Sequence, residues 1–177
     1  MQIVQELKLA ETLSDKLVAL CADPHPRLRS KAVTVLGEVP TMPPDVLIER
    51  LLIDTDARVR ANMIEVLETN HKAQFVPTLI QRARVGTNRE RANAIRVLHR
   101  LRMGYFDTAL TTMLRDERPE HRISAMWALK ETNWWKQLGE VGRMAKEDTN
   151  LRVRRYALGV LKAVAEMVRQ QRKNTAG

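Results

Sequence analysis

Five stretches of this chain share one arrangement of apolar and polar positions. They read RLRSKAVTVLGE from Arg27, RVRANMIEVLET from Arg58, RERANAIRVLHR from Arg89, EHRISAMWALKE from Glu120 and RVRRYALGVLKA from Arg152. Ala32, Met63, Ala94, Ala125 and Ala157 form one apolar column, and Val33, Ile64, Ile95, Met126 and Leu158 form a second. Leu36, Leu67, Leu98, Leu129 and Leu161 form a third, and Val35, Val66, Val97, Ala128 and Val160 a fourth. These offsets describe a broad stripe on a helix, not the alternating face of a strand. The leucines step by 31, 31, 31 and 32 residues, and Arg29, Arg60, Arg91, Arg122 and Arg154 keep that step seven positions earlier. A period of this length marks stacked supersecondary units, none of which buries its apolar face alone.

A short polar turn precedes each stretch: CADPHP, IDTDA, VGTNR, RDERP and EDTN. Asp23, Asp54, Asp116 and Asp148 share a column there, with Val85 as the exception. Such residues cap helix N-termini, and Pro26 and Pro119 suit a first helical turn. A first helix is predicted ahead of each turn, at about 12–21, 44–53, 74–84, 106–115 and 136–146. Pro43 and Pro44 start the second of these, Pro77 lies in the first turn of the third, and Gly139 and Gly142 weaken the fifth. The predicted fold is all-α: about five helix pairs at 12–39, 44–70, 74–101, 106–132 and 136–164, one domain over 1–177 ending in a basic tail at 165–177.

Seven aromatics in 177 residues suit close-packed Leu, Val and Ala helices better than an aromatic-rich β core. The net charge of +9 favours an anionic partner, or serves solubility alone. Cys21 is the one cysteine, so an intrachain disulfide is excluded, and its place after Leu17 and Leu20 on an apolar stripe reads as a buried thiol. The N-terminal MQIVQELKLAETL is an interrupted amphipathic pattern, not a signal peptide, and no run of 18 apolar residues occurs. The expectation is an intracellular, soluble, cytoplasmic protein.

The Asp turn followed by V/L-R-x-x-A-x-x-x-L resembles the HEAT-like repeat family, in the short-period form associated with phycobilin lyases, over about residues 12–164. The resemblance implies an α-solenoid of antiparallel helix pairs wound in a right-handed superhelix, with second helices lining the concave side. It also implies that the repeated arginines pair with the turn aspartates of neighbouring units, as an internal ladder. Bidentate guanidinium geometry suits that role, and no lysine replaces any of the five. Members of this family are mostly interaction scaffolds; some bind nucleic acid, act as pigment lyases or DNA glycosylases, or hydroxylate a lysine derivative.

The remaining polar columns of the second helices lie at i, i+4, i+7 and i+11, which is one helical face. They comprise Arg27, Lys31, Thr34 and Glu38; Arg58, Asn62, Glu65 and Thr69; Arg89, Asn93, Arg96 and Arg100; Glu120, Ser124, Trp127 and Glu131; Arg152, Tyr156, Gly159 and Ala163. Seven are basic and four acidic, which predicts a basic patch centred on the third unit. Trp127 and Tyr156 either anchor a ligand beside Arg96 and Arg100 or cap the core. Trp134 and Trp135 follow in a turn, one expected as a plug and the other as a partly exposed ring.

No catalytic constellation or cofactor motif is found. His25, His71, His99 and His121 fall in different columns, without the His-Glu pairing the hydroxylase branch uses for iron and without metal-ligand spacing; His121 shares a column with Leu28, Val59 and Val153 and reads as partly buried. No aspartate lies on the predicted concave face, which argues against glycosylase chemistry. A lyase role has no short motif that would test it. The leading expectation is a scaffold that binds an acidic protein segment or helix. Nucleic-acid binding through Arg27, Lys31, Arg58, Arg89, Arg96, Arg100 and Arg152 is the alternative. Ordinary apolar residues at both ends point to a longer solenoid or to end-to-end dimerisation.

Overall fold

A computed structural model describes residues 12–39, 43–68 and 73–175. The N-terminal amphipathic segment, Thr69, His71 and the last two residues lie outside these. Among the described residues all regular structure is helical. Helix α1 covers 12–20. It is followed by α2 (Pro26–Leu36), α3 (Asp45–Leu52), α4 (Ala57–Val66), α5 (Val76–Val85), α6 (Asn88–Arg100), α7 (Tyr105–Leu114), α8 (Pro119–Thr132), α9 (Leu138–Glu147) and α10 (Leu151–Thr175). Short 3-10 turns, Ala73–Phe75 and Trp135–Gln137, lead into α5 and α9.

Local chemistry sets the boundaries. Pro26 and Pro119 lie in the first turns of α2 and α8, and Pro77 in that of α5. Asp56 caps α4 by accepting from Arg58 N at 2.8 Å, and Asn150 caps α10 through Arg152 N at 2.9 Å. Thr87 and Glu90 form a reciprocal capping box on α6. The column aspartates act slightly upstream of the caps. Asp23, Asp54, Asp116 and Asp148 each accept from the backbone N–H two residues on, which tightens the turn without capping the helix directly. After α6 and α8 the chain reverses through left-handed residues, Arg102 and Asn133. In both places an N–H bonds back to a carbonyl five residues earlier, Met103 to Leu98 and Trp134 to Leu129. The α9 helix is continuous through Gly139 and Gly142, so these residues cost helix propensity without breaking it.

Helices pair in chain order, α3 with α4, α5 with α6, α7 with α8 and α9 with α10. The second helices also meet one another successively, α2 with α4, α4 with α6, α6 with α8 and α8 with α10. The four apolar columns supply their contacts. Val33, Ile64, Ile95 and Met126 are fully buried, and so are Ala94, Ala125 and Ala157, whose small side chains let the helices approach closely. Leu17 from α1 and Cys21 in the turn just after it join the same cluster.

Candidate functional site

The repeated arginines are occupied inside the fold. Arg29 grips Asp54 with two bonds of 2.7 Å, and Arg122 grips Asp148 with two of 2.8 Å. Arg91 meets Asp116 at 2.5 Å. Arg29, Arg60 and Arg122 also donate to two carbonyls of the turn before their own helix, Arg91 donates to Ala83 O and Arg154 to Asp148 O. One guanidinium thus ties its own turn to the carboxylate of the following one. Burial alone would push the Asp54 carboxyl up, but the Arg29 bonds and the Asp56 N–H hold it below the usual range. Asp148 is held down in the same way by Arg122 and the Asn150 N–H.

Val85 leaves Arg60 without a column aspartate, and Glu90 takes that place. Its oxygens accept from Arg60 at 2.7 and 3.2 Å and from the Thr87 N–H and hydroxyl at 3.0 and 2.8 Å. Arg82, in a column that is Leu51 and Met113 elsewhere, reaches the same carboxylate at 3.6 Å. His121 is buried beside Arg91, whose terminal nitrogen lies 3.1 Å from Nδ1. Burial lowers the pKa of His121, so the neutral ring accepts there.

The predicted recognition face comes together in part. Arg27, Lys31, Arg58, Asn62, Glu65 and Arg89 line one open groove of about 550 Å³ with Ser30 and Thr34. Arg89 and Glu65 continue into a smaller recess of about 290 Å³ with Asn88, Asn93, Ser124 and Trp127. Arg96 lies over the Trp127 ring, 5.0 Å from its centroid.

Several of these groups serve the fold instead of facing outward. Asn62 and Asn93 were expected on the offered face, yet both are buried. The Asn62 amide donates to Ser30 O, Ser30 Oγ and Thr34 Oγ1 at 2.9–3.0 Å, and that of Asn93 donates to Ala61 O at 3.0 Å. Each bridges its helix to the preceding second helix. Ser124 Oγ likewise accepts from Asn88 at 2.8 Å.

The basic patch expected at the third unit is neutralised from within. Arg96 pairs with Glu68, lies 3.8 Å from Glu131 and reaches Glu65 at 4.0 Å. Arg100 also meets Glu68, at 3.2 Å, and Arg89 meets Glu65 at 2.9 Å. Glu68 was missed because its column holds Gly37, His99, Lys130 and Lys162 in the other units, with no second carboxylate to mark it. Arg58 is drawn to Asp56, and this pairing pushes the Asp56 pKa down to about 2. Exposed cations of the face outside these pairs are Arg27 and Lys31 at one end and Arg152 at the other.

No family model matches this chain, and no curated protein matches it significantly.

Trp127 and Tyr156 are half-buried against the core, so both behave chiefly as its lid. Burial, with Glu131 nearby, raises the pKa of the Tyr156 phenol. Trp134 and Trp135 do not divide into plug and exposed ring: both are half-buried against the core, and the Trp134 indole donates to Asp107 at 2.8 Å while its ring packs edge-on to Phe106 and His99. Among the described residues no group of three or more His, Cys, Asp or Glu side chains is placed to hold a metal ion. Likewise no described helix is long and apolar enough to cross a membrane.

Proposed function

We propose that this chain is a non-catalytic scaffold, a HEAT-like solenoid that holds an acidic polypeptide segment against its row of second helices. Three features support the solenoid part. Helices pair in order, second helices touch successively, and each arginine rung joins one turn to the next. The first helices have far fewer contacts with one another, which suits a concave side lined by the second.

One observation carries the ligand assignment. The groove across α2, α4 and the start of α6 presents exposed Arg27 and Lys31 with no acidic partner among the described residues, beside half-exposed Arg58 and Arg89. Its polar neighbours Ser30 and Thr34 provide hydroxyl groups for a peptide backbone. A phosphate track is less well matched, because Glu38, Glu65 and Glu131 interrupt the face and Arg96 and Arg100 are already paired.

The test is fluorescence anisotropy with a labelled Glu/Asp-rich peptide and, separately, a labelled DNA duplex. The peptide should bind at low salt and be lost in the Arg27→Glu, Lys31→Glu double variant with the melting curve unchanged. Duplex binding with a log–log salt slope of about −4, and none by the peptide, would overturn the assignment in favour of nucleic acid.

A further inference from the structure

The arginine ladder runs in one direction, and both of its ends are open. Every interior rung passes from the arginine of one unit to the carboxylate of the next: Arg29 to Asp54, Arg60 to Glu90, Arg91 to Asp116 and Arg122 to Asp148. Arg154 holds its own turn through Asp148 O, as its equivalents do, but no following carboxylate meets it among the described residues. At the other end the Asp23 carboxylate accepts from the His25 N–H, as its equivalents do in their turns; Arg29 bonds only the Asp23 carbonyl, and among the described residues no arginine reaches its carboxylate. One end presents an unused donor fork and the other an unused acceptor, in the roles that pair four times within the chain.

The apolar columns are open in the same sense. Leu28 is 45 % exposed and Val35 37 %, whereas Val59, Val66, Val97, Val153 and Val160 in those two columns are buried. Leu20 is 42 % exposed, although Leu51 and Met113 in its column are fully buried. These columns face the preceding unit. At the far end Leu158 is 47 % exposed, although Val33, Ile64, Ile95 and Met126 in its column are fully buried; that column faces the following unit.

We propose that copies of this chain stack head to tail, with α9 and α10 of one against α1 and α2 of the next, Arg154 reaching Asp23 of the next copy and Leu158 covering its Leu28 and Val35. The proposal uses the stacked-pair reading but not the groove, so peptide binding and self-association fail independently. A contact of this kind is heterologous: each copy keeps one end free, and assembly continues unless the rotation closes a ring.

The experiment is sedimentation of the full chain from micromolar to near-millimolar concentration, with melting curves as folding controls. The average mass of the wild type should grow with concentration. Arg154→Asp alone and Asp23→Arg alone should each weaken association by about tenfold or more, since like charges then meet at the junction. An equimolar mixture of the two should associate again, because each end of one variant then faces an opposite charge on the other. Asp23→Asn, which keeps the acceptor oxygen for His25 N–H, serves where Asp23→Arg does not fold; it too should weaken association. A wild type that stays monomeric throughout, single reversals that associate as the wild type does, or a mixture that fails to recover would each overturn the proposal.

Discussion

Glu90→Gln isolates what one buried carboxylate contributes to this array. Glu90 is fully buried, in a column that is Leu28, Val59, His121 and Val153 elsewhere. Glutamine keeps the side-chain shape and an amide oxygen for the Thr87 N–H. It removes the negative charge that faces Arg60 at 2.7 Å and Arg82 at 3.6 Å. Both guanidinium groups are largely shielded from water, so neither recovers full hydration in exchange. Removing one partner of a buried pair costs about 3–5 kcal/mol. For a chain of this size each kcal/mol moves Tm by about 2–4 °C, so the lower bound corresponds to a fall of about 10 °C. The assay is urea unfolding followed by far-UV circular dichroism, read as a shift in midpoint at unchanged slope. Glu90→Leu combined with Arg60→Met and Arg82→Met should recover most of the loss, since no uncompensated charge remains. A Glu90→Gln midpoint within about 1 kcal/mol of wild type would refute the reasoning, because the rung would then be no more than a solvated surface pair.

Two further predictions follow from the same geometry. Asp54, Asp56, Glu90, Asp116 and Asp148 all have folded-state pKa values below their ordinary ones, through arginine partners and turn N–H groups acting against burial where it opposes them. Their stabilisation is therefore present above the unfolded carboxylate range near pH 4 and lost as pH falls through the folded values, so midpoints measured from about pH 7 to 2 should drop only in the acid limb. Gly142 and Gly159 sit in helices with nothing near an added Cβ, so alanine at either should raise stability by about 0.5–1 kcal/mol. Gly86→Ala should destabilise, because its Cβ would lie 2.6 Å from Arg82 O and 2.8 Å from Glu90 Cβ; thermal melts that rank Gly86→Ala with the other two would contradict the packing.

Much of the helical layout was legible because a helix writes its buried face into the chain at a fixed spacing. The four apolar columns, the prolines in first turns and the polar connections predict helices within a few residues of those observed, except that α10 does not stop near 164 and runs on through the basic tail to Thr175. The arginine–carboxylate pairing came from the family resemblance, and Arg29, Arg91 and Arg122 follow it. The face was read less well. Asn62 and Asn93 share a column with Lys31 and Tyr156, so their polarity looked like exposure. Side-chain type does not distinguish an amide pointing at solvent from one bonded to a neighbouring helix's carbonyl. For Trp127 the sequence left anchor and core cap both open, and Arg96 stacked on its ring favours the cap.

The repeat of apolar positions, the helical class and the sites of the turns were determined by sequence, because they depend on residues a few positions apart. Which charges remain free was decided only in the tertiary structure. Arg60 closes on Glu90, 30 residues on, and Arg96 closes on Glu68, 28 residues back, and no local pattern announces either pair. Packing the second helices side by side sets those distances, and with them it moves the available positive charge from the centre of the face to Arg27, Lys31 and Arg152.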